Sequence, residues 1–127
     1  MSDLATTIDT YLEAYGEPET AKRAQLITRA FADDARLIDP PMDAAGHDGI
    51  AAMAAAVQGQ FPGHTFRRTS AVDTHHDFAR YAWQLVGPDG AVAVAGTDVV
   101  EVDADGRIVR VVGFFGELAD ADNPTAG

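Results

Sequence analysis

The sequence predicts an α+β domain in which helices cover one face of a curved antiparallel sheet. Three observations carry this. Apolar residues recur at helical spacing through most of the first half of the chain. From Thr65 onward the pattern changes to period two. The tetrapeptides GPDG (87–90) and DADG (103–106) separate the last three period-two segments with turn-forming residues. Helices followed by a meander of strands make an α+β layer arrangement.

In the first helix Leu4, Ile8, Tyr11, Leu12 and Tyr15 share one face, with Ser2 or Asp3 as a cap and Gly16 as its end. Pro18 suits the first turn of a second helix, whose apolar stripe is Ala24, Ile27 and Phe31. ARLID (35–39) reads as a strand stopped by Pro40 and Pro41. A third helix follows in GHDGIAAMAAAVQGQF, with Asp48 as its cap. Its buried face is Ile50, Met53, Val57 and Phe61, and Pro62-Gly63 closes it. TFRRTSAV, FARYAWQLV, AVAVAGTDVVEV and RIVRVVGFFGE are the four strand segments of the second half.

Symmetric hairpin loops at the two turns set an expected register. Val102 then faces Arg107, placing Asp98 opposite Val111, Gly96 opposite Gly113 and Val94 opposite Phe115. Val86 likewise faces Ala91, which puts Asp98 opposite Ala79. Under this register Asp98 points to an apolar side shared with Tyr81, Trp83, Val94, Val111 and Phe115. A carboxylate there costs free energy unless it is paired, hydrogen-bonded or protonated.

The chain has 127 residues, enough for one core-bearing domain, which we assign to residues 1–118 with an acidic, flexible tail at 119–127. Nine basic against twenty acidic residues give a net charge of −11, which disfavours nucleic acid and anionic membranes as partners. The lack of cysteine excludes a disulfide scaffold and a thiolate metal site. MSDLATTIDT lacks the regions of a signal peptide, and no apolar run has membrane-span length, so a soluble cytoplasmic protein is expected.

The candidate chemistry is acidic. Asp98 is either a structural carboxylate bonded to a loop amide or helix end, or an acid kept neutral at the floor of a pocket. Asp39 either caps the turn before the two prolines or, held rigidly at a strand end, serves as a general base. Tyr11 and Tyr15 pack in the core with their hydroxyls at a rim, or aim a phenol at a developing oxyanion. Trp83, Tyr81, Phe115, Val111 and Met53 are core or pocket lining, and His47 is a candidate for the pocket mouth. His75 and His76, in DTHHD, read as a solvated loop rather than a metal site. No phosphate-binding loop, dinucleotide fingerprint, GxSxG or HExxH is present, and no metal or cofactor is expected.

FADDARLIDPP, GHDGIAAM and TDVVEVDADGRIVRVVGFFGE together resemble the ketosteroid isomerase and SnoaL-like polyketide cyclase branch of the nuclear transport factor 2-like superfamily. The resemblance covers nearly the whole chain. It implies a cone-shaped barrel of curved, mainly antiparallel sheet covered by three helices, usually dimeric, around an apolar pocket. It also implies Asp39 as the catalytic base, Asp98 as a protonated acid and Tyr11, with Tyr15 as the alternative, as the oxyanion donor. A carboxylic acid kept neutral by an apolar site is the established pattern of ketosteroid isomerase itself.

The function expected on this basis is a cofactor-independent isomerase-like enzyme that shifts a proton α to the carbonyl of a small apolar compound. Cyclase, dehydratase or hydrolase chemistry in the same pocket is the alternative, as is a non-catalytic ligand-binding or interaction module. Epoxide hydrolases of the superfamily need an Arg at the position held here by Gly96, which counts against them. The dehydratases need pocket histidines, which here must be His47 or the pair at 75 and 76. A homodimer is expected through the strand face carrying Arg80, Thr97, Val99 and Arg110. Asp98→Leu is expected to leave the fold intact or more stable, because it completes an apolar face.

Overall fold

The structure, a computed structural model, describes residues 4–122. The proposed caps Ser2 and Asp3 and the end of the acidic tail lie outside the described residues. Three helices, α1 (Leu4–Tyr15), α2 (Thr20–Ala30) and α3 (Gly46–Gln60), pack on a sheet of seven strands. The strands are β1 (Phe31–Asp39), β2 (Met42–Ala45), β3 (Thr65–Arg68), β4 (Asp73–His75), β5 (Phe78–Val86), β6 (Val92–Val102) and β7 (Ile108–Phe115). Their order is β2-β1-β7-β6-β5-β3, with β4 also paired to β5, so the curved sheet stays open.

The faces of α1 and α3 follow the predicted spacing, but in α2 the expected Ala24 is exposed and Arg23, Leu26, Ile27 and Ala30 form the buried side. Ile8, Tyr11, Leu12 and Tyr15 of α1, Leu26 and Ile27 of α2, and Ile50, Met53 and Val57 of α3 are all buried. Two boundaries differ. Phe31 leaves the second helix and opens β1, fully buried, while Pro18 precedes α2 by two residues. The α1–α2 loop is tied down by the buried Arg23, whose Nε donates to the Glu17 carbonyl (2.9 Å) and Nη2 to the Pro18 carbonyl (3.2 Å). Asp48 is not the cap of α3: the helix starts earlier, after Ala45, and Asp48 lies in its first turn, where a carboxylate suits the helix dipole.

All strand pairs are antiparallel except β1–β7, which is parallel. The expected register is off by two residues in both hairpins. Asp98 pairs with Tyr81 and Gly113, and Gly96 pairs with Trp83 and Phe115. The cause is local. Each turn closes with its glycine left-handed, Gly90 at φ 85° and Gly106 at φ 79°, which inserts one residue asymmetrically. A second irregularity follows between Leu85 and Val86 and between Glu101 and Val102. Because side chains alternate with period two, an offset of two preserves the face assignments past each bulge, whereas Val92, between bulge and turn, pairs with Val86 and is exposed. Bulges also bend strands, and the one between Phe31 and Arg36 in β1 adds to the curvature.

Candidate active site

Four adjacent strands align one row of residues across the floor of the cone. Leu37 and Ile38 of β1 pair with Val111 and Val112 of β7, and the next step of that register brings Asp39 to Gly113. Gly113 pairs with Asp98 on β6, and Asp98 with Tyr81 on β5. The row is therefore Asp39, Gly113, Asp98, Tyr81. Neighbouring strands lie ~4.8 Å apart, so the two acids are separated by one strand only. A Cβ placed on Gly113 would stand 3.0 Å from Asp98 Oδ1 and 3.3 Å from Asp39 Cβ. The missing side chain is what lets both carboxylates border one space.

That space is a cavity of about 210 Å³. Asp39, Asp98, Tyr11, Tyr15, Trp83, Val111 and Phe115 line it, as expected from the sequence. Leu37, Met42, Phe61 and Phe66 are among its other apolar walls and were not foreseen as lining. The cavity is smaller than the roughly 300–1,000 Å³ that holds a drug-sized ligand, so it has room only for a compact molecule.

Asp98 is 2 % exposed and fully hydrogen-bonded. The Tyr81 hydroxyl donates to Oδ2 (2.8 Å) and the Trp83 indole N–H to Oδ1 (2.9 Å). Trp83 reaches Asp98 because it lies across Gly96, where a Cβ would fall 2.5 Å from its ring. Burial raises the Asp98 pKa to about 6, while the Tyr81, Trp83 and Tyr11 hydrogen bonds oppose the rise and the Asp39 charge adds to it. At pH 7 the carboxylate then outweighs the acid by about ten to one. Asp98, expected to stay protonated at neutral pH, instead titrates close to neutrality.

Asp39 is half-buried at the edge of the cavity. Its Oδ2 accepts from the Tyr15 hydroxyl (3.1 Å) and its Oδ1 from the Met42 amide (3.2 Å). Desolvation raises its pKa, with both hydrogen bonds opposing. The structure thus divides the two tyrosines: Tyr15 holds Asp39, and Tyr11 acts on Asp98. The Tyr11, Tyr15 and Tyr81 phenols are pushed up, first by burial and then by the neighbouring carboxylates, so they stay neutral.

Three expected residues lie elsewhere. Tyr81 stands behind Asp98 and touches no cavity space, because its hydroxyl is spent on the carboxylate. Met53 is core, 4 % exposed, and does not line the cavity. His47 sits at the start of α3, where Nε2 lies 3.0 Å from the Phe31 carbonyl oxygen, away from the mouth. His75 and His76 lie exposed, outside the cavity, with their Nδ1 atoms 3.0 Å apart. Among the described residues no group of three or more His, Asp or Glu is placed to hold a metal ion. No helix among the described residues is long and apolar enough to cross a membrane.

Comparison with known proteins agrees with this architecture. A protein of the SnoaL-like family from Agrobacterium tumefaciens, provisionally assigned as an isomerase, is 40% identical, covers 92% of this chain and 100% of its own, and superposes with a TM-score of 0.84. Two provisional polyketide cyclases share the fold. That of Sinorhizobium meliloti is 20% identical over 85% of this chain and 93% of its own (TM-score 0.63). That of Jannaschia is 18% identical over 91% and 89% (TM-score 0.65). Curated proteins show no significant match. The sequence profile of the SnoaL-like domain matches residues 8–111, most of the chain and all of the strands that build the cavity floor except the end of β7, and the protein belongs to the SnoaL-like family.

Proposed function

We propose that the protein is an isomerase-like acid–base enzyme acting on a small, largely apolar carbonyl compound. The observation that carries this reading is the pair of carboxylates on one cavity floor, each held by its own donors in a different degree of burial. Ionised Asp39 takes the proton α to the carbonyl; the C–H electrons form the enolate C=C bond and charge moves to the oxygen. Asp98 in its protonated form donates to that oxygen, and Tyr11 and Tyr15 keep the two acids in place. Return of the proton to another carbon completes an isomerisation. Attack of the enolate on a second carbonyl would give a cyclase instead.

Incubation with small cyclic enones in deuterated water tests this by NMR. Deuterium should enter the α position at a rate that declines as pH rises above about 6, because the donor form of Asp98 is then lost. Absence of exchange across a set of such ketones would remove the enolate chemistry. The hydrolase and dehydratase alternatives lose support, since Trp83 fills the space over Gly96 and no histidine lines the cavity.

We further propose a homodimer through the outer face of the sheet. There the exposed Val99 and Phe114 stand beside Thr97, between the ion pairs Arg80–Asp73 and Arg110–Glu101. An apolar centre with a charged rim is the anatomy of a protein interface. Light scattering should show a dimer at micromolar concentration, and Phe114→Asp should yield monomers. A monomeric wild type would remove this claim.

A further inference from the structure

The cavity has an unusual balance of polar groups. Among the described residues its lining holds two carboxylates and one carboxamide, Gln60, and no lysine, arginine or histidine. Its strongest donors are already engaged: the Tyr15 hydroxyl on Asp39, and the Trp83 indole on Asp98 with Tyr81 behind it. Around these acids stand the rings of Tyr11, Tyr15, Phe61, Phe66, Trp83 and Phe115. Several pack against each other: Tyr15 stacks on Phe66 at 4.6 Å between centroids, and Trp83 meets both Phe66 (5.5 Å) and Phe115 (5.9 Å) edge-on.

An anionic ligand would meet two like charges here with no free cation to offset them. A cation would meet two carboxylates across Gly113 in a cavity whose walls are largely aromatic and apolar. The rest of the molecule reinforces the preference. A net charge of −11 draws cations toward the surface. Lys22, Arg36, Arg68, Arg80 and Arg110 are engaged in ion pairs outside the cavity.

We propose that this cavity binds a small organic ammonium ion, with its nitrogen near Asp98 and Asp39 and its alkyl groups against the rings, in competition with a carbonyl substrate. The site is the one described above, but the proposal does not depend on enolate chemistry. The two ligands need opposite states of Asp98: the carbonyl compound its acid, the ammonium ion its carboxylate.

The groups facing Asp98 are Tyr11 from α1, Tyr81 and Trp83 from β5, and Asp39 from β1. Tyr15, also from α1, faces Asp39. The three phenols are pushed upward and do not titrate in the neutral range, which leaves Asp98 as the facing group that changes charge near pH 6. Ammonium binding should therefore strengthen as pH rises through about 6 and level off above it.

Choline and its uncharged isostere 3,3-dimethylbutan-1-ol provide the test, read by NMR titration of the full-length protein. At pH 8 choline should shift resonances of the cavity residues and bind at least tenfold more tightly than the alcohol. Its affinity should fall at least tenfold between pH 8 and pH 5 in the wild type. In Asp98→Asn, shown folded by its spectrum, the pH 8 affinity should fall by a similar factor. Equal affinities for choline and the alcohol, no binding of choline, or binding that ignores pH would overturn the proposal. Because no turnover is measured, choline binding without deuterium exchange into any ketone would leave this inference standing and remove only the isomerase reading.

Discussion

Replacing Asp39 by Asn should lower proton exchange by roughly two to four orders of magnitude while leaving the fold in place. The carboxamide has the same shape. Its oxygen can still accept the Met42 amide, and its NH₂ can donate to the Tyr15 hydroxyl, which then accepts where it now donates. Asp39 is only half-buried, so little stability should be lost. What disappears is the group that receives the proton. Deuterium exchange rates of wild type and variant, compared at one pH with thermal melts as a control, check this. An unchanged rate would remove Asp39 as the base.

Substitutions at Asp98 should separate catalysis from stability. Asp98→Ala removes an oxyanion donor and should cost roughly two to three orders of magnitude in exchange, with Asp98→Asn milder because an amide still donates. The stability effects run against what the apolar face of β6 alone suggests. Asp98→Leu strands the buried Tyr81 hydroxyl and Trp83 indole, at about 1–3 kcal/mol for each unsatisfied donor. That loss should show most clearly below pH 5, where wild-type Asp98 is mostly protonated and carries no charge penalty. As pH rises the balance moves toward the variants. A pKa raised from 3.8 to about 6 means the native state holds the proton more tightly than the unfolded chain. The wild type should therefore lose about 2 kcal/mol relative to Asp98→Asn between pH 4 and pH 6, with the loss levelling off above about pH 7. Chemical denaturation across this range measures the difference; a constant gap would show that burial leaves Asp98 unshifted.

The face of β6 that carries Asp98 was legible because strand side chains alternate, and alternation survives the two-residue offset introduced at the glycine turns. The exact neighbours were not. Asymmetric turns and bulges are set by a single left-handed residue and shift the ladder without changing the pattern. Tyr81 and Trp83 were read as apolar wall, yet each has a polar tip, and those tips decide how Asp98 is held. Gly113 was placed in the ladder but its role was missed, because its contribution is the absence of a side chain between two acids. Asp39 reaches the same floor only through the parallel β1–β7 pairing, which joins segments some seventy residues apart and leaves no local signal. The short strands β2 and β4 were hidden in a proline turn and in DTHHD. His47 showed the opposite failure: a residue type suited to catalysis, placed by its helix against the Phe31 carbonyl instead.

The central claim is that Asp39 and Asp98 form one acid–base pair across Gly113, with Asp98 poised near neutrality. A carbon-detected NMR titration of the Asp98 side-chain carboxyl, in the wild type and in Asp39→Asn, tests it most directly. The account predicts a midpoint near 6 in the wild type and a lower one in the variant, because the Asp39 charge helps to raise it. An ordinary midpoint near 4, or one indifferent to the loss of Asp39, would contradict it.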